Sequence, residues 1–331
     1  MKKLLEDGWS LYPTEITEIQ DNVWKVKTEK DTYALKKTEL KEEHLHFICA
    51  AEHSLVKRGF HNFAILISTT NDHPYYATEE GFYTLHHWIE GERCDFQSEE
   101  HLFAAAKTLA KMHTLGKELS LQSYHNRRGN YFEHAEHIGQ RINELRDFYR
   151  TASTSTPSAF TRAYCRDYPK LIAQAQEAKE RLIHSSLPKL IADAEEVGAF
   201  IHYDVAARNF IILNKKAFLI DFDYCRCDLP LTDLARLLKR ALKQGSSYQN
   251  RMAAILNGYQ RHKPISEEEF EVLCAFLLFP QKYWRIAHRY FTEKYQRDEA
   301  FFIKKWNIAT QEAREEELWL PLLTENRRLL F

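Results

Sequence analysis

Residues 200–223 read F-I-H-Y-D-V-A-A-R-N-F-I-I-L-N-K-K-A-F-L-I-D-F-D, and this stretch decides the fold. Two short apolar runs, 210–213 and 217–220, flank the polar tip Asn214-Lys215-Lys216. The segment is therefore predicted to be a β-hairpin. A polar loop precedes the first strand, and carboxylates follow the second. The side chains that could meet at this one end of the hairpin are those of His202, Asp204, Asn209, Asp221 and Asp223.

The residue types of this loop suit phosphoryl transfer, because Mg²⁺ prefers oxygen ligands and an accepting hydroxyl needs a base within reach. The pattern H-x-D-x-x-x-x-N, followed by a strand that ends in I-D-F, resembles the catalytic loop and metal-binding segment of protein-kinase-like phosphotransferases. Because no Arg precedes the Asp, the loop is more similar to that of aminoglycoside and choline kinases. The resemblance implies a catalytic set of Asp204, Asn209 and Asp221. Asp204 would orient or deprotonate the hydroxyl, and Asn209, Asp221 and Asp223 would hold Mg²⁺ on the phosphates of ATP. The alternative is a turn rich in Asp and Asn between buried strands.

The bulk composition excludes several other classes of protein. The chain has 331 residues, of which 44% are apolar and 28% charged, with a net charge of −1. This length suffices for one large domain or two lobes. A nearly neutral chain has no global field to recruit nucleic acid or a membrane surface. We therefore expect neither a nucleic acid nor a membrane partner. The first residues lack the apolar core of a signal peptide, so we expect a cytoplasmic protein.

The cysteines and histidines indicate no metal framework. Of the six cysteines only Cys225 and Cys227 lie close together in the sequence, and the sixteen histidines are scattered. This spacing predicts reduced, mostly buried thiols rather than disulfides or a zinc site.

The N-terminal third is predicted to hold a small antiparallel sheet and one helix. Strands are predicted at 16–19, 23–28 and 32–37, a helix at 41–58, and a hairpin over 75–89. A glycine-rich cover over the phosphates would join the first two strands in a kinase-like lobe, but no glycine lies between Gly8 and Gly59. A turn on Asp21 and Asn22 is feasible there. Asp21 would, however, place a negative charge where the phosphates would lie.

The same lobe supplies the candidate nucleotide-binding residues. Tyr33-Ala34-Leu35-Lys36 resembles the kinase strand whose Lys contacts the phosphates. Glu52 on the following helix is the candidate ion-pair partner of Lys36, with Glu43 as the competing choice. The resemblance places the adenine against main-chain groups of His86, His87 and Trp88. Gly91 would then free the backbone where the lobes move.

The C-terminal part is predicted to be mainly helical. Within an insertion at about 117–197, two helical patterns, 131–151 and 160–184, flank a Ser/Thr-rich run at 151–158. That run is interpreted as a flexible loop, with a phosphoacceptor tail as the alternative. Asp233 and His202 are expected to support the catalytic loop from behind, although Asp233 would also suit a helix N-terminus. Residues 246–331 form packing helices, from which Arg285 and Arg289 could line a substrate cleft.

The order of the motifs resembles that of the CotS family of endospore coat-associated kinase-like proteins of Bacillus-type bacteria. The motifs are Y-A-L-K, W-I-E-G, H-Y-D-V-A-A-R-N and L-I-D-F-D-Y-C, and they cover about 15–300. The resemblance implies an α+β, protein-kinase-like two-lobe fold, with an N-terminal lobe at 1–90 and a helical lobe at 91–331. It implies ATP and Mg²⁺ as cofactors and an unknown hydroxyl-bearing substrate or spore coat proteins as partners. The protein would be made in the mother-cell cytoplasm and reach the spore coat. It would act as a phosphotransferase or as a coat scaffold with little turnover.

Overall fold

An antiparallel five-stranded sheet of strand order β1-β2-β3-β5-β4 forms the N-terminal part of the computed structural model, which describes residues 1–117, 133–243, 247–293 and 298–325. The sheet contains β1 (Glu15–Gln20), β2 (Val23–Lys27), β3 (Thr32–Thr38), β4 (Tyr76–Thr78) and β5 (Gly81–His87). Strand β3 alternates as predicted: Tyr33 and Leu35 point into a small core while Lys36 points to the other face. This alternation aims Lys36 away from the core and toward the cleft.

A helix that the sequence reading missed covers the core of this sheet. Helix α1 (Lys2–Trp9) buries Leu5 and Trp9, which are four residues apart and therefore on one face. The indole nitrogen of Trp9 donates a hydrogen bond of 3.0 Å to the Ile67 carbonyl. The signal was present in the spacing of Leu5 and Trp9, but a single pair of apolar residues is too short a pattern to predict a helix.

Helix α2 (Glu42–Lys57) joins the N-terminal sheet to the rest of the molecule. Its apolar face, which includes Phe47 and Leu55, belongs to the large core of the C-terminal part rather than to the core of the sheet. Phe63, just beyond the helix, contacts Phe222 at the end of the catalytic hairpin with ring centroids 5.4 Å apart. Helix α2 thus belongs to the predicted N-terminal lobe (1–90) by its position in the sequence, but its buried side chains pack in the core of the larger lobe.

The predicted catalytic hairpin is present, and its second strand begins and ends one residue earlier than the predicted run 217–220. Strand β8 (Phe210–Leu213) pairs with β9 (Lys216–Leu219), and β6 (Glu92–Arg93) adds a third strand. A second, two-stranded sheet pairs β7 (Phe200–Ile201) with β10 (Arg226–Cys227) on either side of the catalytic segment. The loop before β8 and the segment after β9 thus leave the hairpin at the same end.

Gly91 has a packing role that the sequence did not reveal. A Cβ atom added there would lie 2.4 Å from the Ile212 carbonyl oxygen and 2.7 Å from Ile211 Cγ2. Such contacts are far shorter than van der Waals distances, so only glycine fits where the chain crosses β8. Lobe movement at Gly91 stays a prediction.

Helices build the rest of the described chain. They are α3 (Glu99–Leu115), α4 (Glu133–Thr154), α5 (Ala159–Ile183), α6 (Leu187–Glu196), α7 (Pro230–Ala241), α8 (Tyr248–Gln260), α9 (Glu267–Leu278), α10 (Gln281–Thr292) and α11 (Glu299–Glu325). The predicted α+β architecture, a small sheet followed by a larger helical part, is confirmed. The described helices include none whose length and apolar content would let it cross a membrane.

The first half of the Ser/Thr-rich run is helical, so its interpretation as a flexible loop is wrong for 151–154. Helix α4 continues through Thr154, whose hydroxyl donates to the Arg150 carbonyl at 3.0 Å. Ser158 then caps α5 in a reciprocal capping box with Thr161. Local side-chain hydrogen bonds therefore order a segment whose composition suggests disorder. The start of the first predicted pattern, at 131–132, lies outside the described residues, as does 118–132 of the insertion.

All six cysteines are free, and five of them are buried. The prediction of reduced, mostly buried thiols therefore agrees with the structure. Burial raises the pKa of Cys94 to about 12, which makes its thiol unreactive at neutral pH.

Candidate active site

The loop that carries Asp204 is held from behind by a buried carboxylate on α7. The backbone amides of His202 and Tyr203 donate to Asp233 Oδ2 and Oδ1, both at 2.9 Å. His113 Nε2 lies 3.2 Å from Asp233 Oδ2, and His113 Nδ1 lies 2.8 Å from the Tyr259 hydroxyl. An ionised carboxylate only accepts, so Nε2 carries the ring proton and Nδ1 accepts from Tyr259. Asp233 thus lies where the sequence placed a support for the loop.

Burial and pairing act on the two buried partners in opposite directions. Burial lowers the pKa of His113, although its hydrogen bond to Asp233 works against this effect. Burial by itself would raise the pKa of Asp233, but the hydrogen bond and the electrostatic interaction with His113, together with His202 and Arg236, more than offset burial and lower the pKa. The pair therefore consists of a neutral imidazole and a carboxylate that stays ionised at neutral pH.

His202 anchors the strand end that precedes Asp221. Its Nε2 donates to the Ile220 carbonyl at 3.0 Å, and its ring contacts Phe222 edge-on with centroids 4.8 Å apart. His202 is fully buried, and its Nδ1 atom has no hydrogen-bond partner in the described chain. The residue therefore joins the catalytic loop to the segment after β9 and lies too deep to reach a substrate.

Two arginines that the sequence reading did not single out hold Asp204. Arg208 donates to Asp204 Oδ2 at 2.7 Å and Arg240 donates to Asp204 Oδ1 at 2.8 Å. Asn209 Nδ2 donates to Asp204 Oδ2 at 2.9 Å and to the Asp204 carbonyl at 2.8 Å. Burial by itself would raise the pKa of Asp204, but Arg240 and then Arg208 lower it. Arg208 lies four residues after Asp204, and this short spacing could have predicted the ion pair. Arg240 lies on α7, far from Asp204 in the sequence, so no local pattern predicts its contact with Asp204.

The two candidate metal carboxylates converge on Lys36. Lys36 Nζ lies 2.7 Å from Asp221 Oδ1 and 2.7 Å from Asp223 Oδ1. Burial by itself would raise the pKa of Asp221, but the charge and the hydrogen bond of Lys36 act in the opposite direction, and the net effect is a lowered pKa. Burial lowers the pKa of Lys36, but the two carboxylates more than compensate and raise it. The backbone of Asp221 is left-handed (φ 66°), an uncommon conformation for a residue other than Gly that turns the chain out of β9.

The predicted ion pair between Lys36 and Glu52 is absent. Glu52 is buried, and its Oε2 atom lies 3.3 Å from His86 Nε2. Lys36 instead makes its two ion pairs with Asp221 and Asp223, 185 and 187 residues away in sequence. The Lys36–Glu52 prediction is wrong because two acidic side chains beyond β9 reach Lys36 from the larger lobe. Glu52 lies beside His86 on β5 instead, and its Oε2 atom accepts no hydrogen bond from the described residues.

Two of the predicted adenine-binding amides are already used by the protein. The His87 amide donates to the Ile65 carbonyl at 2.9 Å, and the Trp88 amide donates to the Thr32 carbonyl at 3.0 Å. Across the described residues, the next amide, that of Ile89, has no hydrogen-bond acceptor. The main-chain donor that remains at this edge is therefore one residue beyond the predicted set.

The turn between β1 and β2 lies where a phosphate-covering loop was expected. Asn22 has φ 63°, so the predicted left-handed asparagine turn on Asp21 and Asn22 is confirmed. The Asn22 carbonyl accepts from the Lys37 amide at 2.9 Å, which fixes the turn against β3. A main-chain hydrogen bond from β3 therefore fixes this turn, which contains no glycine.

The fold is the protein-kinase-like fold of the aminoglycoside phosphotransferase type. An aminoglycoside phosphotransferase from Alicyclobacillus acidocaldarius superimposes with a TM-score of 0.83 at 20% identity, covering 96% of this chain and 93% of that one. Amicoumacin kinase hAmiN, solved with AMP-PNP, Ca²⁺ and Ami, gives a TM-score of 0.66 at 15% identity, with 95% and 92% covered. Identities this low establish the fold alone.

The chain belongs to the family described as "Spore coat putative kinase YutH", which matches residues 2–322. Spore coat protein S of Bacillus subtilis (strain 168) is 22% identical over 318 residues, covering 94% of this chain and 90% of that protein. The resemblance to spore coat-associated kinase-like proteins of the CotS type is thereby confirmed.

Proposed function

We propose that the protein is an ATP- and Mg²⁺-dependent phosphotransferase that transfers the γ-phosphoryl group to a hydroxyl acceptor. The observation that carries the proposal is the meeting of Asp204, Asn209 and the cluster of Asp221, Asp223 and Lys36 at one end of the β8–β9 hairpin. Phosphoryl transfer needs a carboxylate that orients the acceptor, oxygen ligands for a cation, and a lysine for the phosphates. A turn between buried strands would need none of these charges.

The oxygen atoms present suit Mg²⁺. Asp221 Oδ1 and Asp223 Oδ1 share one cationic neighbour at 2.7 Å, so the two oxygens approach one point. Asn209 donates its Nδ2 to Asp204, and its side-chain oxygen takes no part in those bonds. Within the described residues no group of three or more His, Cys, Asp or Glu is placed to hold a metal. Mg²⁺ commonly takes one or two carboxylates and completes its shell with substrate phosphates and water. Bound here, the ion would neutralise charge on the phosphates.

Asp204 would orient the acceptor. In the transfer step the acceptor oxygen bonds to the γ-phosphorus, the bond from that phosphorus to the bridging oxygen breaks, and ADP leaves with the electron pair. Asp204 accepts the hydrogen bond of the hydroxyl and passes the released proton to solvent. Because Arg208 and Arg240 hold both of its oxygens, the carboxylate is fixed in direction before the acceptor arrives.

The nucleotide would lie between the sheet and the hairpin. Lys36 would contact the phosphates, and the adenine would meet the Ile89 amide, because the amides of His87 and Trp88 are taken. Lys25 fixes this edge: its Nζ lies 4.4 Å from the Trp88 ring centroid and 2.7 Å from Glu90.

We also propose that the protein is made in the mother-cell cytoplasm and associates with the spore coat. The support is the family and the Bacillus subtilis spore coat protein S. Its partners there would be a hydroxyl-bearing substrate or coat proteins. The glycine-free turn at Asp21 and Asn22 favours a second candidate, a coat scaffold on a kinase-like frame with little turnover.

Calorimetric titration with Mg·ATP separates the two candidates. We expect metal-dependent binding by the wild type and its loss in Asp221→Ala, because that variant removes an oxygen ligand. The matched control is Asp147→Ala, an exposed carboxylate on α4 that pairs only with Arg150. No binding at millimolar nucleotide, or equal binding by wild type and Asp221→Ala, would refute the phosphotransferase and favour the scaffold.

A turnover assay with Asp204→Asn tests the reacting end of the site. The variant should keep its fold and its Mg·ATP affinity and lose transfer, although its amide group also gives up a hydrogen bond from Arg208 or Arg240. Unchanged transfer in this variant would remove Asp204 from its assigned role.

A further inference from the structure

A strongly basic cavity opens beside Asp204. It has a volume of about 570 Å³, and its walls come from the catalytic loop, β10 and helices α4, α5, α7, α9, α10 and α11. Eight of its lining residues are Lys or Arg and three are Asp or Glu. The whole chain carries a net charge of only −1, so the positive charge is concentrated here. Two lining residues connect the cavity to Asp204. Tyr203 precedes Asp204 in the chain, and Arg240 donates a hydrogen bond of 2.8 Å to Asp204 Oδ1.

Two of the three acidic residues that line the cavity form ion pairs with lysines. Glu312 pairs with Lys243 and Lys282, and Glu316 lies 3.4 Å from Lys239. The three lysines that line the cavity therefore share the negative charge of two glutamates. Most of the excess of positive charge is carried by the arginines.

Three arginines of the cavity have no acidic partner in the described chain. They are Arg226 on β10, Arg236 on α7 and Arg285 on α10. Partial burial lowers the pKa of Arg285, and the positive charges of Arg236 and Arg240 add to this effect. A group of like charges around one cavity destabilises the protein unless something anionic binds there.

Tyr203 arranges two of these arginines. The guanidinium carbons of Arg226 and Arg236 both lie 3.6 Å from the centroid of its ring. Two such groups would overlap on one face, so they occupy opposite faces of the ring. Tyr203 adopts φ 69°, a left-handed conformation that is strained for a residue other than glycine. The strained residue immediately before Asp204 thus places two cations next to the proposed acceptor position.

Buried donors of this group also lack acceptors. Arg226 Nε and Arg240 Nη1 are buried and have no hydrogen-bond partner in the described chain. An unsatisfied buried donor is costly, and more so on a charged group. The cavity is therefore electrostatically and sterically prepared for an acceptor-rich, negatively charged ligand.

We infer that the phosphoryl acceptor is a small hydroxyl-bearing anion whose phosphate or carboxylate group is held by Arg226, Arg236 and Arg285 while its hydroxyl meets Asp204. The inference rests on the proposed phosphotransferase function. Planar guanidinium groups match the oxygens of both anions. A cationic acceptor would be repelled by the same three groups. The volume lies in the range of small-molecule pockets.

Calorimetric titration without nucleotide tests the inference. The anionic probes are glycerol 3-phosphate and gluconate, and glycerol and choline are the neutral and cationic comparisons. We expect at least one anion to bind with a dissociation constant on the order of 1 mM at low salt, more weakly as salt screens the arginines. Arg285→Gln should lower that affinity at least about tenfold. Arg150→Gln, which changes an exposed arginine outside the cavity, should leave it unchanged.

Three results with the small probes would overturn the inference. They are binding of choline or glycerol in preference to both anions, failure of both anions to bind at about 10 mM, and anion binding that depends on Lys36→Ala but not on Arg285→Gln. The last result would place the anion at the nucleotide phosphates instead. Binding of an acidic Ser-Glu peptide in place of both small anions would equally overturn the choice of a small molecule.

The Mg·ATP titration separates this inference from the proposed function. Anion binding that Arg285→Gln abolishes, in a protein that binds no Mg·ATP, would support the anion site and refute phosphoryl transfer. Mg·ATP binding without anion binding would refute the anionic acceptor alone.

Discussion

Replacing Asp233 with Asn tests how the catalytic loop is held. In the wild type one buried carboxylate accepts from the amides of His202 and Tyr203 and from His113. Asparagine keeps one acceptor oxygen and turns an NH₂ group toward the remaining donors, so at least one buried donor loses its partner. A hydrogen bond to a charged group contributes about 1.5 to 3 kcal/mol, and an orphaned buried donor costs about 1 to 3 kcal/mol more. We therefore expect Asp233→Asn to lower the free energy of unfolding by about 3 to 5 kcal/mol.

The assay is urea denaturation followed by tryptophan fluorescence, with Asp147→Asn as the matched carboxylate-to-amide control. Asp147 is exposed and pairs only with Arg150, so its replacement should change the free energy of unfolding by no more than about 0.5 kcal/mol. A loss below about 1 kcal/mol in Asp233→Asn would refute the reasoning, because it would mean that the loop amides find other acceptors at little cost.

Two further changes probe packing and pH. Gly91→Ala should destabilise the protein by about 1 to 3 kcal/mol because its Cβ would meet the Ile212 carbonyl. Gly139→Ala, in the open interior of α4, should stabilise it by up to about 1 kcal/mol; the same sign for both in urea denaturation would contradict the steric argument. His113 has a lowered pKa, so as pH falls through its unfolded value of 6.5 only the unfolded chain takes up the proton and stability falls. His113→Gln should remove up to about 1.4 kcal/mol per pH unit of that slope; an unchanged slope between wild type and variant would show that His113 is protonated in the folded protein.

Local sequence patterns predicted the parts of the site that lie close together in the chain. Two continuous apolar runs around a polar tip predicted the β8–β9 hairpin, and the hairpin brings Asn209 and Asp221 to one end because its register pairs Phe210 with Leu219. The alternation of apolar residues in β3 aims Lys36 out of the core of the sheet. Both features follow from patterns within a few residues of the chain.

Partners that come from elsewhere in the chain could not be predicted in this way. Lys36 meets Asp221 across 185 residues, and Arg240 reaches Asp204 from a helix 36 residues later. Glu52 was a reasonable partner for Lys36 by its position on α2, but the choice between partners depends on how α2 packs. That packing is decided by the larger core, to which Phe47 contributes, and a periodic pattern reports which face is apolar but not what it meets.

The charge arrangement links the two proposals. Both substrates would be anions, so the Asp204 carboxylate would repel the acceptor it has to orient. Arg208 and Arg240 each hold one of its oxygens, and Arg240 also lines the basic cavity. Arg240 therefore screens the charge of Asp204 on the side from which the anion enters. On the nucleotide side, the positive charge of Lys36 partly offsets the negative charges of Asp221 and Asp223. A kinase for cationic acceptors would have no need of guanidinium groups between its orienting carboxylate and its acceptor cavity, because there the bare carboxylate attracts the substrate.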